Sequence, residues 1–374
     1  MKYTNNFILI ILISSISGII FAILNNDFIK INEENKENII EKNKNKLRYK
    51  EKNIYKENKI IIKKDNIIPL AINIDNNYIL QAIVFLTSLL ENMDLTTKYE
   101  IYIMIPNDLT YISKTSIDSL VEKYGKEKIK IQYINMKDAF SNSGINEHIS
   151  TSAYYRLLLP SILPKIDKII YSDCDVINFE DLSEMYNINL KDNIYYMGIP
   201  DYYDHHKELL EFGISTSMYM NSGILLMNLK SLRKYGIERK LINLCENYLL
   251  QHHDQTAINL VCKDNIGKLP IKYATFNFES YDKLIEYNKG QSWRYRYTEK
   301  ELKEAYYNPV MLHYVGFDKP WSRREKVVKY EEYWWYYAQK TDFFENIISY
   351  FDYDTKEVNN IIKQIPKDKG LLRK

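Results

Sequence analysis

The chain has 374 residues, 45% of them hydrophobic, with 51 basic and 49 acidic side chains for a net charge of +2. That apolar content excludes a disordered chain. The near-neutral balance excludes a general nucleic-acid binder, which needs a strong basic excess. Asn, Ile, Lys and Tyr are over-used throughout, as AT-rich codons would give, so the 34 tyrosines carry little weight as sugar-stacking groups. Cys174, Cys245 and Cys262 form neither a disulfide scaffold nor a zinc pattern, and buried thiols are expected rather than a Cys245–Cys262 bridge.

No charge occurs from Tyr3 to Asn26, and the centre of that stretch, Phe7 to Leu24, reads FILIILISSISGIIFAIL. At about 1.5 Å rise per residue it just spans a bilayer core of about 30 Å. The run exceeds a usual signal core and no A-x-A site follows. Residues 1–26 are therefore read as an uncleaved, single-pass N-terminal membrane anchor, a transmembrane helix. The rivals are a cleaved signal peptide, which would leave the protein secreted, and a buried helix. Lysines on both flanks leave the orientation open. Residues 27–66 are rich in Asn, Lys and Glu and read as a polar stalk.

The globular part, residues 67–321, opens with Ile67–Ile74, a branched apolar run that predicts a buried strand. Asp75 to Tyr78 break it, and Ile79–Asn92 has helical periodicity. Tyr99–Ile105 predicts a second strand, Ser113–Tyr124 a helix and Lys128–Ile134 a third strand. This alternation predicts an α/β fold with a largely parallel sheet, whose ligands sit beyond the carboxyl ends of its strands. Ser152–Leu159 predicts a helix ended near Pro160, and Lys168–Tyr171 a strand running into Asp173-Cys174-Asp175. Neither GxxxxGK[ST] nor GxGxxG occurs, so P-loop and Rossmann readings have no support.

Two aspartates two apart at a strand end share a side if the backbone stays extended. Asp173 and Asp175 are thus candidate ligands for Mn2+ or Mg2+, which would absorb the charge of a departing diphosphate. A D-x-D alone is weak evidence. A core strand directly before it strengthens the case, because carboxylates there are costly unless they bind something. His313 follows the short apolar run Pro309–Leu312 and is a candidate third ligand. It opens HYVGFDKPW, where Gly316 permits close approach to a phosphate and Lys319 offers a cation.

Six segments in order resemble the glycosyltransferase family 8 enzymes, a group that includes bacterial lipopolysaccharide galactosyl- and glucosyltransferases and is related to glycogenin. They are IPLAINIDNNY with the following SLLEN, SAYYRLLLP, IIYSDCDVI, YMNSGILLMNLKSLR, HDQTAIN and HYVGFDKPW. The resemblance implies a GT-A type nucleotide-diphospho-sugar transferase fold, a single domain with a mixed, mainly parallel sheet. It implies retention of anomeric configuration and a UDP-sugar donor. Asp75, Asn77 and Tyr78 then look like uracil or ribose contacts, and Arg156 like a donor-sugar or phosphate contact. Asn221 and Ser222 fall around the donor sugar, Asp254 and Gln255 at the reaction centre, and Gly316 and Lys319 at the diphosphate. Asp173, Asp175 and His313 look like the Mn2+ ligands.

Each has a plainer alternative. Asp75 and Asn77 suit turns, Asn221 a turn or helix cap, Arg156 a structural ion pair, and Asp254 the N-cap of a helix over Gln255–Val261. Asn73 stands where many relatives have a small residue. Cys174 is expected to point into the core. Retention needs a carboxylate nucleophile or same-face attack. Gln255 is a poor nucleophile, Asp254 and Asp201 are the carboxylates to watch, and same-face attack is favoured. The acceptor stays open among a lipid-linked sugar, a lipopolysaccharide core, a protein glycan and a soluble glycan.

Residues 322–374 read as a C-terminal helical extension. Arg323, Arg324, Lys326, Trp334 and Trp335 suit a membrane surface, and the same stretch suits a capping helix packed on the domain. Tyr281–Tyr297, with Trp293 and Arg294, is assigned to the acceptor side. A nucleotidyltransferase would carry glycines near the first strand, and Ile67–Tyr78 has none. A glycosidase leaves HYVGFDKPW unexplained. An inactive, membrane-tethered sugar-binding or scaffold protein is expected to have lost Asp173, Asp175 or His313, and all are present.

Overall fold

The computed structural model describes residues 66–137, 139–140, 151–202, 219–323 and 328–366. The apolar segment Phe7–Leu24, the polar stretch behind it, Arg324 and Lys326 lie outside the described residues. Among the described residues no helix is long and apolar enough to cross a membrane.

The strands are β1 (Asn66–Asn73), β2 (Thr97–Ile105), β3 (Ile129–Asn135), β4 (Ile169–Ser172), β5 (Val176–Asn178), β6 (Tyr196–Gly198), β7 (Ile224–Met227), β8 (Ile266–Lys268), β9 (Thr275–Phe276) and β10 (Met311–His313). Seven form a sheet in the order β3-β2-β1-β4-β7-β6-β8, and three form a second sheet, β5-β10-β9. Strand β7 runs antiparallel to both its neighbours, and the other pairings in the large sheet are parallel. The result is a GT-A-like α/β fold with a mixed, mainly parallel sheet. Its central strands β1 and β4 are apolar on both faces, as strands covered by helices on both sides must be.

Helix α1 (Ile79–Glu91) is buried on almost every side, and α2 (Tyr111–Tyr124) takes its N-cap from Thr110. The stretch Thr151–Leu158 is a 3₁₀ helix continued by an α-turn over Leu159–Ile162. Pro160 therefore opens that turn instead of ending a helix, since its fixed φ and missing N–H suit a first turn. Helix α3 (Ile237–Asn247) packs on α4 (His253–Cys262). All three cysteines are free and buried, so no Cys245–Cys262 bridge forms.

Helices α5 (Tyr281–Gly290) and α6 (Glu299–Tyr307) precede β10. Beyond it come α7 (Glu331–Gln339), α8 (Phe344–Tyr350) and α9 (Thr355–Ile362). Trp334 and Trp335 are fully buried in an aromatic cluster with Phe179, Tyr314 and Tyr333. They cap the domain, as the capping-helix reading expects, and offer no membrane-facing surface, which corrects the alternative for these two residues. The reason is energetic: indole rings supply more apolar burial than any other side chain.

Candidate functional site

Topology brings three chain segments to one edge. Because β1 and β4 are parallel neighbours, with Ala71 opposite Tyr171, their carboxyl ends lie together. Asp75–Tyr78 follow the first, and Asp173–Asp175 the second. Strand β7 is antiparallel to β4, with Ile224 opposite Ser172, so Asn221, Ser222 and Gly223 reach the same edge. The Asp173 N–H donates to the Gly223 carbonyl at 2.7 Å. Three residues separate β4 from β5, so the D-x-D is the step between the two sheets. In the second sheet His313 lies opposite Val176, and the Tyr314 N–H donates to the Asp175 carbonyl at 3.0 Å.

Asp173, Asp175 and His313 each offer an atom within 4.8 Å of the others. Each ligand-type group is already charge-balanced. Arg156 Nη2 donates to Asp173 Oδ1 at 2.9 Å, and Lys319 Nζ to Asp175 Oδ2 at 2.6 Å. His313 Nε2 stands 3.2 Å from Asp175 Oδ1. Burial works to raise the Asp175 carboxyl, but Lys319 and His313 outweigh it and hold the group well below the usual carboxylate range. His313 Nδ1 is buried and has no hydrogen-bond partner among the described residues. A buried orphan nitrogen beside two carboxylates fits a divalent cation that takes one nitrogen and several oxygens. Gly223 shapes the same spot: a Cβ there would fall 2.2 Å from His313 Cε1 and 2.9 Å from Asp173 Oδ2. Only glycine lets β7 pass this closely, a feature the sequence alone did not expose.

Beside the cluster lies a cavity of about 200 Å³ lined by Asn73, Asp75, Tyr78, Ser152, Arg156 and the D-x-D residues. Burial first, then the charges of Asp175 and Asp173, pushes the Tyr78 phenol up. Asp75 makes the expected turn, its Oδ1 accepting the Asn77 N–H at 2.9 Å, and it also lines the cavity. Asn77 is exposed and does not line it. Cys174 is buried in the core as expected, and burial followed by Asp173 and Asp175 keeps its thiol protonated.

Arg156 is the hub. Its Nη1 donates to the Ser222 carbonyl at 2.5 Å, and its Nε lies 3.2 Å from Asp254 Oδ2. The guanidinium stacks over Tyr171 with 4.2 Å to the ring centroid. Burial disfavours its charge, yet Asp173 and Asp254 raise it further above its already basic value. Asp254 lies in the first turn of α4, whose N-cap position is His252, so the N-cap expectation fails. Burial, helped by the nearby Asp173 charge, pushes Asp254 up to about 6 despite the opposing pull of Arg156.

Gln255 is locked at both ends. Its Oε1 accepts the Ser222 N–H at 3.0 Å, and its Nε2 donates to Asp201 Oδ2 at 3.1 Å. Asn221 Nδ2 donates to the other oxygen, Asp201 Oδ1, at 2.9 Å, while Asn221 Oδ1 accepts the Gly223 N–H as in a turn. Asn259 fixes α4 to the segment before β7 by bonding both the N–H and the carbonyl of Met220.

Gly316, at φ +82°, belongs to a second cavity of about 130 Å³ with Tyr202, Phe276 and Phe317, apart from the first. Trp293 is 78% exposed with Arg294 beside its ring, and it lines neither cavity.

A mixed α/β sheet with a carboxylate–histidine cluster at its carboxyl edge, beside a polar cavity, defines the class of GT-A-like sugar transferases. Within that class the chain belongs to glycosyl transferase family 8, whose family model matches residues 69–325. General stress protein A of Bacillus subtilis (strain 168) is 27% identical over 74% of this chain and 94% of its own length. A lipopolysaccharide 1,2-glucosyltransferase of Escherichia coli is 27% identical over 73% of this chain and 76% of its own. Among solved structures, the galactosyltransferase LgtC in complex with donor and acceptor sugar analogues matches at TM-score 0.59 with 20% identity, over 74% of this chain and 96% of that one. The protein is thus a glycosyltransferase.

Proposed function

We propose that this enzyme is a retaining hexosyltransferase that moves a sugar from a UDP-sugar to a glycan or lipid-linked acceptor with the help of Mn2+. The observation that carries the reading is the Asp173–Asp175–His313 cluster beside the cavity lined by Asp75, Tyr78 and Arg156. A divalent cation held by those three side chains would supply the Lewis acid that takes up charge on a departing diphosphate. Lys319, here held by Asp175 and the Tyr314 carbonyl, would turn toward that diphosphate. Asp75 and Tyr78 would hold the nucleoside. Asn221, Ser222 and Gln255 form a rigid polar wall for the sugar.

Retention by same-face attack suits this wall. Asp254 is 4% exposed and faces Arg156, and both Asp201 oxygens accept bonds from Asn221 and Gln255. Neither carboxylate is free to attack carbon. The match to a lipopolysaccharide glucosyltransferase supports a glycan or glycolipid acceptor. The apolar Phe7–Leu24 stretch supports a membrane tether for the whole chain.

The test is UDP release from UDP-glucose, UDP-galactose and UDP-N-acetylglucosamine, with Mn2+ or with EDTA. Release from one donor, abolished by EDTA, is expected. Mn2+-independent release, or none from any nucleotide sugar, would overturn the reading.

A further inference from the structure

Tyr171 lies in β4 two residues before the first D-x-D aspartate and is fully buried. Alternation along an extended chain puts it on the same side as Asp173. Its hydroxyl donates to Asp173 Oδ1 at 2.7 Å, the oxygen that also accepts Arg156 Nη2 at 2.9 Å. Its ring lies under the same guanidinium, and its hydroxyl also lies against the side-chain oxygen of Asn73 at the end of β1, a second acceptor for its single proton. One Asp173 oxygen is therefore faced by two donor groups, Arg156 Nη2 and the Tyr171 hydroxyl. The other, Oδ2, lies on the His313 side, where both would crowd a Cβ on Gly223.

We infer that Tyr171 is a positioning residue. From beneath the site it turns Asp173 so that Oδ2 alone is presented, and it holds Arg156 in the plane that fixes this turn. The inference rests on the metal-dependent reading above and deepens it. A carboxylate anchored through one oxygen binds in one-oxygen fashion. A carboxylate released from that anchor can swing and bind through both. Groups that orient a metal-binding side chain typically affect affinity by about 10–100-fold. They also affect metal choice, since Ca2+ tolerates two-oxygen carboxylates and flexible geometry better than smaller cations do.

The experiment measures Mn2+ and Ca2+ binding to the full chain, without nucleotide, for wild type and Tyr171→Phe. Phenylalanine keeps the ring under Arg156 and removes only the hydroxyl. Tyr196→Phe is the control: Tyr196 is buried in the same apolar cluster, and its hydroxyl has no partner among the described residues. Expected is about a tenfold loss of Mn2+ affinity in Tyr171→Phe, with a smaller loss for Ca2+, so that the preference for Mn2+ narrows. Tyr196→Phe should bind both ions as wild type does. Wild-type affinity and preference in Tyr171→Phe would overturn the positioning role and leave the functional reading intact. Equal losses in both variants would also overturn it, by showing general loosening of the core. Absence of Mn2+ binding to wild type would remove the reading itself, and this role with it. Tyr171→Leu, which lacks the ring as well, should lose more than Tyr171→Phe; equal losses would contradict a part for the stack.

Discussion

The carboxyl edge of the large sheet and the C-terminal aromatic cap are both buried, yet they are built from opposite materials. At the edge, Arg156, Asp173, Asp175, Asp254 and Lys319 crowd together, and each carboxylate faces a cation. In the cap, Trp334 and Trp335 pack at 4.8 Å between ring centroids, Trp335 lies 4.5 Å from Tyr353, and ion pairs such as Arg323–Glu357 stay exposed. Buried charges are costly to hold and apolar rings are not. The cap therefore supplies stability, and the edge gives some of it up to keep groups ready for a ligand.

Four substitutions would break or sharpen that contrast. Trp335→Ala removes a fully buried indole that donates to the Pro320 carbonyl, and should cost about 3–5 kcal/mol in urea unfolding. Activity per folded molecule should change little. A variant that stays stable but loses activity would reverse the roles of the two regions. Gly223→Ala should do the opposite. Its methyl group meets His313 and Asp173, so UDP release should fall about 100-fold while the melting temperature moves by only a few degrees.

Lys319→Met frees Asp175 Oδ2. UDP binding should weaken about tenfold, as loss of one charged contact to a diphosphate predicts, while Mn2+ binding alone should not weaken. Loss of Mn2+ binding in that variant would mean that Lys319 supports the metal site instead of competing for it.

The smallest effect concerns pH. Asp254 is raised in the folded state to about 6, so folding favours its protonated form. Its contribution is greatest below the unfolded carboxylate range and is lost as pH rises through about 6. Asp254→Asn does not titrate. Relative to wild type it should gain on the order of 1 kcal/mol between pH 4.5 and pH 7 in urea unfolding. A constant difference across that window would show that Asp254 is not held in this way.

Much of this was legible in the sequence for physical reasons. Strands β1 to β4 are apolar runs, and their expected bounds agree with the observed ones to within two residues. Strands β5, β6, β8 and β9 have two or three residues, too few to show a period. Strand β7 lay unrecognised inside a motif. Asp173, Asp175 and His313 could be proposed because carboxylates and imidazole at strand ends imply a ligand. The links between Arg156 and Asp254, and among Gln255, Asp201 and Ser222, join residues far apart in sequence, and only the fold reveals them. Tyr171 did leave a signal, since strand alternation sets it beside Asp173. Gly223 left none beyond its place next to Asn221 and Ser222. For Trp334 and Trp335 the sequence left two readings, since aromatic and basic residues in one stretch suit a membrane surface as well as a packed cap, and the fold bears out the cap.

The most direct test of the account is calorimetric titration of UDP into the protein with Mn2+ and with EDTA, for wild type and Asp173→Ala. The account predicts UDP binding by wild type that requires Mn2+, and none by Asp173→Ala under either condition. UDP binding of equal strength in EDTA, or undiminished in Asp173→Ala, would contradict the claim that this sheet edge is a metal-dependent nucleotide-sugar site.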